Sequence, residues 1–256
     1  MTTTDMTGHT IVVTGAGSGI GRATARLLAS RGAHVVVADI ADSAHETVEL
    51  VTGAGGEATA VVADISDEQA AADLIALAAE RGDRLGLVNN AGIMDDFSGA
   101  AHVDTAQWDR ILRVNLTAPM YLIRAAIPVM LERGGGAIVN VGSSASLRGG
   151  AAGAAYTSSK HGLIGLTLNT AYTYGKQSIR CNAACPGGVE TNIMSGTDMS
   201  AMDPEHGLAA ITPVHQSAIR NAKPEELAQV IAFLASDAAS DVNGAVIPVD
   251  AGWSAG

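Results

Sequence analysis

Residues 10–21 read Thr-Ile-Val-Val-Thr-Gly-Ala-Gly-Ser-Gly-Ile-Gly, an apolar, β-branched run that leads directly into a turn with four glycines. The sequence after this turn has the pattern of an amphipathic helix. Glycines let the backbone approach a pyrophosphate closely, and a helix N-terminus offers N–H groups and the positive end of its dipole. A glycine-rich turn between a strand and a helix therefore predicts a dinucleotide site, here with the spacing T-G-x-x-x-G-x-G.

The rest of the chain alternates between short β-branched runs and amphipathic helical stretches. Most of the runs are apolar throughout, as a parallel sheet covered on both faces requires. The predicted strands are residues 10–13, 34–38, 58–63, 85–88, 137–141, 179–184 and 245–249. The predicted helices are residues 19–30, 43–52, 67–81, 105–133, 155–174 and 224–236. This order predicts an α/β fold: a single Rossmann domain over residues 1–256, with a doubly wound, parallel, seven-stranded sheet and helices on both faces.

Composition narrows the range of partners and compartments. Hydrophobic residues make up 47% of the 256 residues and aromatic residues only 3%, so the core must be built from closely packed small aliphatic side chains. The net charge of −11 argues against nucleic acid or an anionic membrane as a partner. Residues 1–9 carry no basic or apolar targeting pattern, so we expect a cytoplasmic protein. Cys181 and Cys185, if on one strand, lie about 13 Å apart, too far for a disulfide, and are expected to be buried thiols.

Two acidic residues follow predicted strands at the adenosine end of the expected dinucleotide site. Asp39 ends the second strand, where a carboxylate accepts ribose hydroxyls and repels a 2′-phosphate, so NAD is favoured over NADP. Neither Ser18 nor Ile40 supplies a cation for a phosphorylated ribose. The alternative is that Asp39 caps the next helix. Asp64, with Ile65 beside it, is placed for the adenine, although it could instead be an N-cap, a role that Asp67 fills equally well.

Small and amide residues follow the later strands at the same predicted edge of the sheet. Residues 89–92 (Asn-Asn-Ala-Gly) come after the fourth strand, where the cofactor should cross. Asn115 lies inside a long predicted helix, where asparagine is a mediocre helix former and often marks a bend or an exposed position. Residues 186–191 (Pro-Gly-Gly-Val-Glu-Thr) follow the sixth strand, and their backbone together with Thr191 is suited to holding a carboxamide.

Tyr156 and Lys160 are four residues apart, so on a helix they share one face. A phenol titrates near pH ~10, and a fixed cation such as Lys160 is expected to lower the pKa of Tyr156. Ser143 adds a hydroxyl donor. Taken alone this pair is common on exposed helices, so its chemical meaning depends on a reactant that the rest of the chain places beside it.

A long segment between the sixth strand and the last helix, residues 186–223, is predicted to be a lid over the carboxyl ends of the strands. Its larger side chains are Met194, Met199, Met202, His206 and His215. The two histidines are expected to face solvent rather than to bind a metal, because no His, Cys or carboxylate cluster has ligand spacing. We therefore predict no metal site.

Taken together, these motifs resemble the short-chain dehydrogenase/reductase superfamily in order and spacing over nearly the whole chain, through the Val-Asp-Ala-Gly of residues 249–252. The resemblance implies a single Rossmann domain, a nicotinamide cofactor and a catalytic tetrad of Asn115, Ser143, Tyr156 and Lys160. Ser143 rather than Ser144 takes the catalytic position because it lies thirteen residues before Tyr156. Two departures are visible: Gly142 replaces a first serine that many members carry, and Ala251 replaces a frequent glycine.

The predicted cofactor contacts extend along the same edge. They are Gly15, Ser18, Gly19, Ile20, Gly21, Asp39, Ile40, Asp64, Ile65, Asn90, Ala91, Gly92, Val114, Tyr156, Lys160, Pro186, Gly187, Val189 and Thr191.

The expected reaction is hydride transfer between nicotinamide and a secondary alcohol or ketone, with Tyr156 as general acid or base and Ser143 donating to the substrate oxygen. A proton path from Lys160 through Asn115 and a water is implied by the resemblance alone. The alternatives are a 3-oxoacyl-carrier-protein reductase and a non-catalytic nucleotide-binding regulator on the same fold.

The substrate is expected to be small or medium in size and largely apolar, because the predicted pocket residues are mostly uncharged. These residues are Met94, Leu147, Ala152, Gly188 and Met194. Asp95 and Asp96 are expected to be solvated loop carboxylates rather than residues at the pocket mouth. The family's usual homotetramer would pack the helices of residues 105–133 and 155–174 against their symmetry mates, and Gly162 and Gly165 would permit close approach.

Overall fold

The computed structural model describes residues 4–197 and 204–255. Its centre is a seven-stranded parallel sheet with the strand order β3-β2-β1-β4-β5-β6-β7. The strands are β1 (His9–Thr14), β2 (His34–Asp39), β3 (Glu57–Val62), β4 (Arg84–Asn89), β5 (Gly136–Val141), β6 (Ile179–Pro186) and β7 (Val246–Val249). The order reverses between β1 and β4, which creates the crevice where doubly wound sheets bind ligands.

Helices connect the strands at nearly the predicted positions. They are α1 (Gly19–Ser30), α2 (Ser43–Gly53), α3 (Glu68–Ala79), α4 (Thr105–Leu112), α5 (Ala118–Glu132), α6 (Ala154–Tyr174), α7 (Ala209–Gln216) and α8 (Pro224–Ala235). The prediction of an α/β Rossmann fold with a parallel seven-stranded sheet is confirmed.

Most strands are largely apolar because both faces of the sheet are covered. Ile11 and Val13 of β1 pack into the core under α1, α2 and α8, whereas Val12 between them packs into the core under α3, α5 and α6. All three side chains have no exposed surface. Burial on both faces explains why residues 11–13 are all apolar instead of alternating with polar residues.

The predicted helix of residues 105–133 contains a π-helical turn, Arg113–Thr117, between α4 and α5. This turn carries Asn115, so the helix does deviate from regular α-geometry at the asparagine, but the side chain is completely buried rather than exposed. Within the described residues, Thr105–Glu132 is the one helix long and apolar enough to cross a membrane by length and composition. Because α5 buries Leu122 and Ala126 against the sheet, we assign this helix to the protein core.

The segment predicted as a lid leaves and re-enters the domain at one place. Its two ends are joined where Ala222 donates to the carbonyl of Gly188 at 2.8 Å and Glu190 donates to the carbonyl of Ala222 at 3.0 Å. Between them lies α7, which the sequence analysis did not predict. Met199 and Met202 lie outside the described residues.

Candidate active site

The two glycine-containing turns of the predicted dinucleotide site are locked together. Thr14 accepts the backbone N–H groups of Asn90 and Ala91, each at 3.1 Å, and the Asn90 amide donates to the carbonyl oxygens of Thr14 and Gly15. At Gly21 an added Cβ would lie 2.2 Å from the Gly15 carbonyl oxygen. Glycine is therefore required at this position for the turn to close. The outer side of the turn remains open for a pyrophosphate.

The start of α1 faces the loop after β6, as expected for a phosphate site. Gly19 has a left-handed backbone (φ 50°), and an added Cβ would lie 3.1 Å from Thr191. Ser18 is the N-cap of α1, but its side chain makes no capping bond, so its hydroxyl accepts none of the N–H groups at the start of this helix. A cavity of about 230 Å³ opens here. The neighbouring Ile20 packs on the domain core.

Asp39 lies at the end of β2, where the ribose was predicted. Its two carboxylate oxygens accept the N–H groups of Gly17 at 2.8 Å and of Ala41 at 3.0 Å, so it anchors the glycine-rich turn and is not the N-cap of α2. Ile40 beside it is 70% exposed, as a residue covering an adenine would be. One cation near this site was not predicted from sequence: Arg22 of α1 donates to the Gly17 carbonyl.

Arg22 is held by further partners on α2. It donates to Thr47 at 3.0 Å and forms an ion pair with Glu46 at 2.8 Å. The charge of this arginine is thus matched by a carboxylate rather than presented alone to the cofactor edge.

At the predicted adenine end, Asp67 rather than Asp64 caps α3, because its carboxylate accepts the N–H of Ala70 at 2.9 Å. Asp64 follows β3 by two residues and accepts the N–H of Ser66 at 2.9 Å. Ile65 is buried in the core. The N-cap alternative for Asp64 was wrong.

Lys160 of α6 and Asn115 of the π-turn meet beside Gly92. A Cβ placed on Gly92 would lie 3.4 Å both from Lys160 Nζ and from Asn115 Oδ1. Lys160 is 3% exposed and donates to the carbonyl of Val141 at 2.9 Å. Burial lowers the pKa of Lys160 to about 8, partly opposed by the nearby Cys185.

The side chain of Asn115 holds the chain that follows Gly92. It accepts the N–H of Ile93 and donates to the carbonyl of Ile93, both at 2.9 Å, and it also donates to Ser159 at 3.2 Å. Val114 lies half-buried on the same π-turn. The unusual helical geometry is thus explained by a contact with residues 22 positions earlier in the chain.

Tyr156 is 6% exposed, with the Lys160 ammonium 5.6 Å from its ring centroid. Burial raises the pKa of Tyr156 to about 12; a hydrogen bond with Ser143 opposes the rise, and the charge of Asp95 adds to it. The direction of this pKa shift is opposite to the predicted one. Loss of solvent on burial dominates, and the Lys160 ammonium is hydrogen-bonded to the Val141 carbonyl.

Asp95 and Asp96 are not solvated, which corrects the sequence-based expectation. They are 1% and 3% exposed, respectively. The Asp95 carboxylate accepts the N–H of Tyr156 at 2.8 Å and of Gly153 at 3.2 Å. Burial raises the pKa of Asp95, and these N–H donors oppose the rise.

An apolar wall stands next to the Tyr156 ring. Tyr156 clusters with Ala152 and Trp253, and Met94 and Val214 pack against this cluster. Trp253, missed by the sequence analysis, donates its indole N–H to the carbonyl of Val214 on α7 at 2.8 Å. Two other predicted pocket residues are largely exposed, Leu147 at 37% and Met194 at 39%, and the predicted Gly188 lies at the joined base of the lid segment.

His215 of α7 also reaches the site, although it is an exposed residue as predicted. Its Nε2 lies 3.0 Å from the carbonyl of Ala151, and its ring centroid is 5.4 Å from that of Trp253. His206 is exposed and its ring stacks on His102 at 6.0 Å. Among residues 4–197 and 204–255, no group of three or more His, Cys, Asp or Glu side chains is arranged to hold a metal ion.

The loop after β6 completes the edge. Gly187 donates to the carbonyl of Val249 at 3.2 Å, and a Cβ on it would lie 2.9 Å from Asp250, so Pro186 and Gly187 lie closely against the end of β7. Val189 forms a bridge with Ala222.

Both departures from the family pattern have visible structural settings. A Cβ on Gly142 would lie 2.7 Å from Cys185 Sγ, so the buried thiol occupies the space that a serine needs. Ala251 has a left-handed backbone (φ 55°), the conformation that favours glycine. Cys181 and Cys185 lie on β6 as buried, free thiols.

Known proteins share this architecture along its full length. Residues 15–254 match the family model described as enoyl-(acyl carrier protein) reductase. The chain is 43% identical to short-chain dehydrogenase/reductase cdmF of Talaromyces verruculosus, covering 96% of this chain and 97% of that protein. It is 38% identical to 3beta-hydroxysteroid dehydrogenase 2 of Eggerthella lenta, covering 98% and 96%.

Among solved structures, a candidate NAD(P)-dependent gluconate 5-dehydrogenase from Beutenbergia cavernae, with NADP bound at low occupancy, is 40% identical and superposes with a TM-score of 0.86 over 99% of both chains. In this chain the glycine-rich turn is locked to the Asn90 turn, and Ser143, Tyr156 and Lys160 converge at the same sheet edge. The relatives named above are oxidoreductases that match nearly the whole chain. The chain belongs to the short-chain dehydrogenase/reductase family.

Proposed function

We propose that this protein is an NAD(H)-dependent oxidoreductase that interconverts a secondary alcohol and its ketone. The observation that carries the proposal is the meeting of three groups at the carboxyl edge of β4 and β5. The Ser143 hydroxyl lies near enough to the Tyr156 phenol to lower its pKa, and Lys160 lies on the same helix face with its ammonium beside Gly92. A proton donor and a charged group therefore lie together next to the turn that borders the predicted nicotinamide site.

The residues that line the glycine-rich turn fit a dinucleotide. Gly15 and Gly21 leave no room for a Cβ on their inner sides, and the N-terminus of α1 opens toward Thr191. Bound nicotinamide would supply the hydride acceptor or donor.

Proton transfer is the part that this chain's own side chains perform. With a pKa raised to about 12, the Tyr156 phenol holds its proton at neutral pH, which suits donation to a carbonyl oxygen. Alcohol oxidation requires the phenolate, which positive charge nearby stabilises, and Lys160 is the buried cation in reach. Ser143 is the second hydroxyl at the same point and is suited to hold the substrate oxygen.

The preference for NAD rests on Asp39. Its half-buried carboxylate lies at the predicted ribose position and anchors Gly17, and a 2′-phosphate placed there would meet negative charge. Arg22, the nearby cation, is paired with Glu46. Because the Beutenbergia cavernae protein has NADP bound, the preference between NAD and NADP must be measured for this chain itself.

The proposed substrate is largely apolar. The wall beside Tyr156 consists of Met94, Ala152, Val214 and Trp253, none of which carries a charge. A hydroxysteroid dehydrogenase is among the relatives, and a fused-ring secondary alcohol is therefore a suitable first test compound.

A carrier-protein reductase is the second candidate, because the matching family model is described as an enoyl-(acyl carrier protein) reductase. The net charge of −11 opposes docking of an acidic carrier. Turnover of an acyl thioester presented on a carrier, faster than that of a free ketone, would favour this candidate.

We also propose that the protein works in the cytoplasm as a homotetramer that packs α4 to α6 against symmetry mates. On α6, Tyr172 is 91% and Leu168 45% exposed, and a Cβ on Gly165 would meet no atom within 4 Å. An apolar, open helix face of this kind supports the proposal. Sedimentation as a monomer at micromolar concentration would refute it.

The activity is tested by following NADH and NADPH absorbance with a panel of secondary alcohols and ketones, from small aliphatic compounds to hydroxysteroids. Turnover with an apolar member and NAD(H) is the expected result. Failure of every alcohol and ketone with both cofactors would leave the non-catalytic alternative as the better account.

A further inference from the structure

The first turn of α6, the helix that carries Tyr156 and Lys160, has no side-chain cap at its own N-terminus. Gly153 stands at the N-cap of α6 and has no side chain to accept the first N–H groups. Four N–H groups at a helix start lack intrahelical partners, and leaving them unpaired in a buried site is costly. Acceptors must therefore come from another part of the chain.

They come from the loop after β4. Asp95 accepts the N–H of Gly153 and of Tyr156, and the carbonyl of Ser98 accepts the N–H of Ala154 at 2.9 Å. The fit is close, because a Cβ on Gly153 would lie 2.5 Å from Asp95 Oδ2. The cap is thus shaped for this carboxylate and for glycine opposite it.

The same loop is fixed at its other end to the cofactor edge. Gly92 lies beside Lys160, and Asn115 holds both backbone groups of Ile93. Between these bonds and Asp95 there is only Met94, whose side chain packs against the Tyr156 cluster. Residues 92–95 therefore form a short brace from the predicted nicotinamide site to the backbone of Tyr156.

The brace is held in a specific conformation. Phe97, which donates its N–H to Asp95 at 3.2 Å, has a left-handed backbone (φ 65°), uncommon for a bulky residue. Its side chain is 7% exposed and meets the ring of His215 edge-on at 6.3 Å between centroids. Such backbone strain persists where surrounding packing imposes it, often at functional sites.

We propose that Asp95 is a positioning residue for hydride transfer: its carboxylate caps α6 and thereby sets where the Tyr156 phenol stands relative to the cofactor edge. This inference rests on the proposed function. It assigns to Asp95 a role in catalysis that acts through Tyr156, without contact to the reacting atoms.

The charge of Asp95 has a second, separable effect. It raises the pKa of Tyr156, as does Cys185 of β6, whereas the hydroxyl of Ser143 lowers it. Lys160 is the cation on the same helix, and Asp96 acts on Asp95 by raising its pKa. Removing the Asp95 charge therefore lowers the pKa of the phenol, and the ascending limb of alcohol oxidation moves to lower pH.

Asp95→Asn is the test, because it keeps the size of the side chain but replaces one acceptor oxygen by a donor and removes the charge. We expect kcat to fall about 10- to 100-fold with the dissociation constant of NADH unchanged. We also expect the oxidation limb to shift to lower pH. Amide hydrogen exchange of Tyr156 should accelerate, and the ¹³C-tyrosine NMR titration of Tyr156 in protein without cofactor should move to lower pH.

Asp96→Asn is the matched control. Asp96 is a buried carboxylate one residue away whose hydrogen bond is local, to the N–H of Ser98 at 3.0 Å. It is expected to leave the pH limb and the exchange of Tyr156 in place. Equal kinetic and pH effects in the two variants would overturn the proposal, as would wild-type kcat in Asp95→Asn.

Gly153→Ala keeps the charge but displaces the carboxylate, so it should lower kcat without the shift to lower pH. It also tests the proposal if Asp95→Asn does not fold, and wild-type kcat in Gly153→Ala would then overturn it. A wild-type protein that transfers no hydride to any compound defeats the proposed function instead, and the NMR titration still decides whether Asp95 acts on Tyr156.

Discussion

Asp39→Ser is expected to reduce the preference for NADH over NADPH, because the Asp39 carboxylate is the fixed negative charge at the proposed ribose position. One oxygen accepts the N–H of Gly17 and the other the N–H of Ala41. Serine keeps a hydroxyl for the ribose but removes the charge that a 2′-phosphate would meet. Arg22, which donates to the Gly17 carbonyl and is paired with Glu46, is a cation linked to the same turn.

The size of the effect follows from the charge and the half-buried setting of Asp39. Two unit charges about 4 Å apart interact by about 4 kcal/mol at an effective dielectric constant of about 20. Screening by solvent and salt at a partly exposed site reduces this to about 1–3 kcal/mol. The ratio of the two dissociation constants should therefore change by about 5- to 150-fold, since each 1.4 kcal/mol is tenfold.

Fluorescence titration of the wild type and the variant with both reduced cofactors measures this ratio directly. Asp42→Ser is the control, because it removes the same charge from an exposed side chain that makes no capping bond at the start of α2. A wild type that binds NADPH more tightly, or a ratio that Asp39→Ser leaves unchanged, would refute the assignment of Asp39. An equal change in Asp42→Ser would show that general charge, not this position, sets the preference.

Three further predictions concern the site and its surroundings. Gly21→Ala should abolish cofactor binding in a titration, because the new Cβ would lie 2.2 Å from the Gly15 carbonyl oxygen. Wild-type affinity in this variant would contradict the close approach of the two residues. Lys160→Met should remove a pH dependence of stability: the folded-state pKa of Lys160 is lowered to about 8 from 10.5, so the unfolded chain binds more protons between these values. The wild type should therefore gain urea stability relative to Lys160→Met as pH rises from 8 to 10.5, and parallel curves would contradict the buried cation. Ala251→Gly should raise the free energy of unfolding by up to about 1 kcal/mol, since it relieves a left-handed backbone; a loss of stability in urea unfolding would contradict this.

The strands and most helices could be predicted from sequence because their causes are local. Residues 11–13 of β1 are all apolar and the turn after the strand carries the glycines, so the 12 residues 10–21 specify strand, turn and helix start. Ser143, Tyr156 and Lys160 could be predicted because their spacing matches a family pattern, and in the structure they lie close together.

What could not be predicted depends on contacts between distant segments. Asp95 and Asp96 lie in a polar stretch that resembles a solvated loop, yet Asp95 is buried by the start of a helix 58 residues later in the chain. Arg22 looks like an exposed helix residue until Thr47 and Glu46 of α2 are placed beside it. The direction of the pKa shift of Tyr156 was predicted wrongly for a related reason. The neighbouring lysine can be identified from the sequence, but the dominant cause is burial, which depends on the packing of the whole site.

The role of Tyr156 is the central claim, and Tyr156→Phe tests it with the loss of one hydroxyl from a buried ring. Turnover of the best substrate from the panel, followed by NADH absorbance, should fall by about 10²- to 10⁴-fold. NADH binding, measured by titration of the same preparations, should stay at the wild-type affinity because the ring and its packing remain. Turnover near the wild-type rate in Tyr156→Phe would contradict the account.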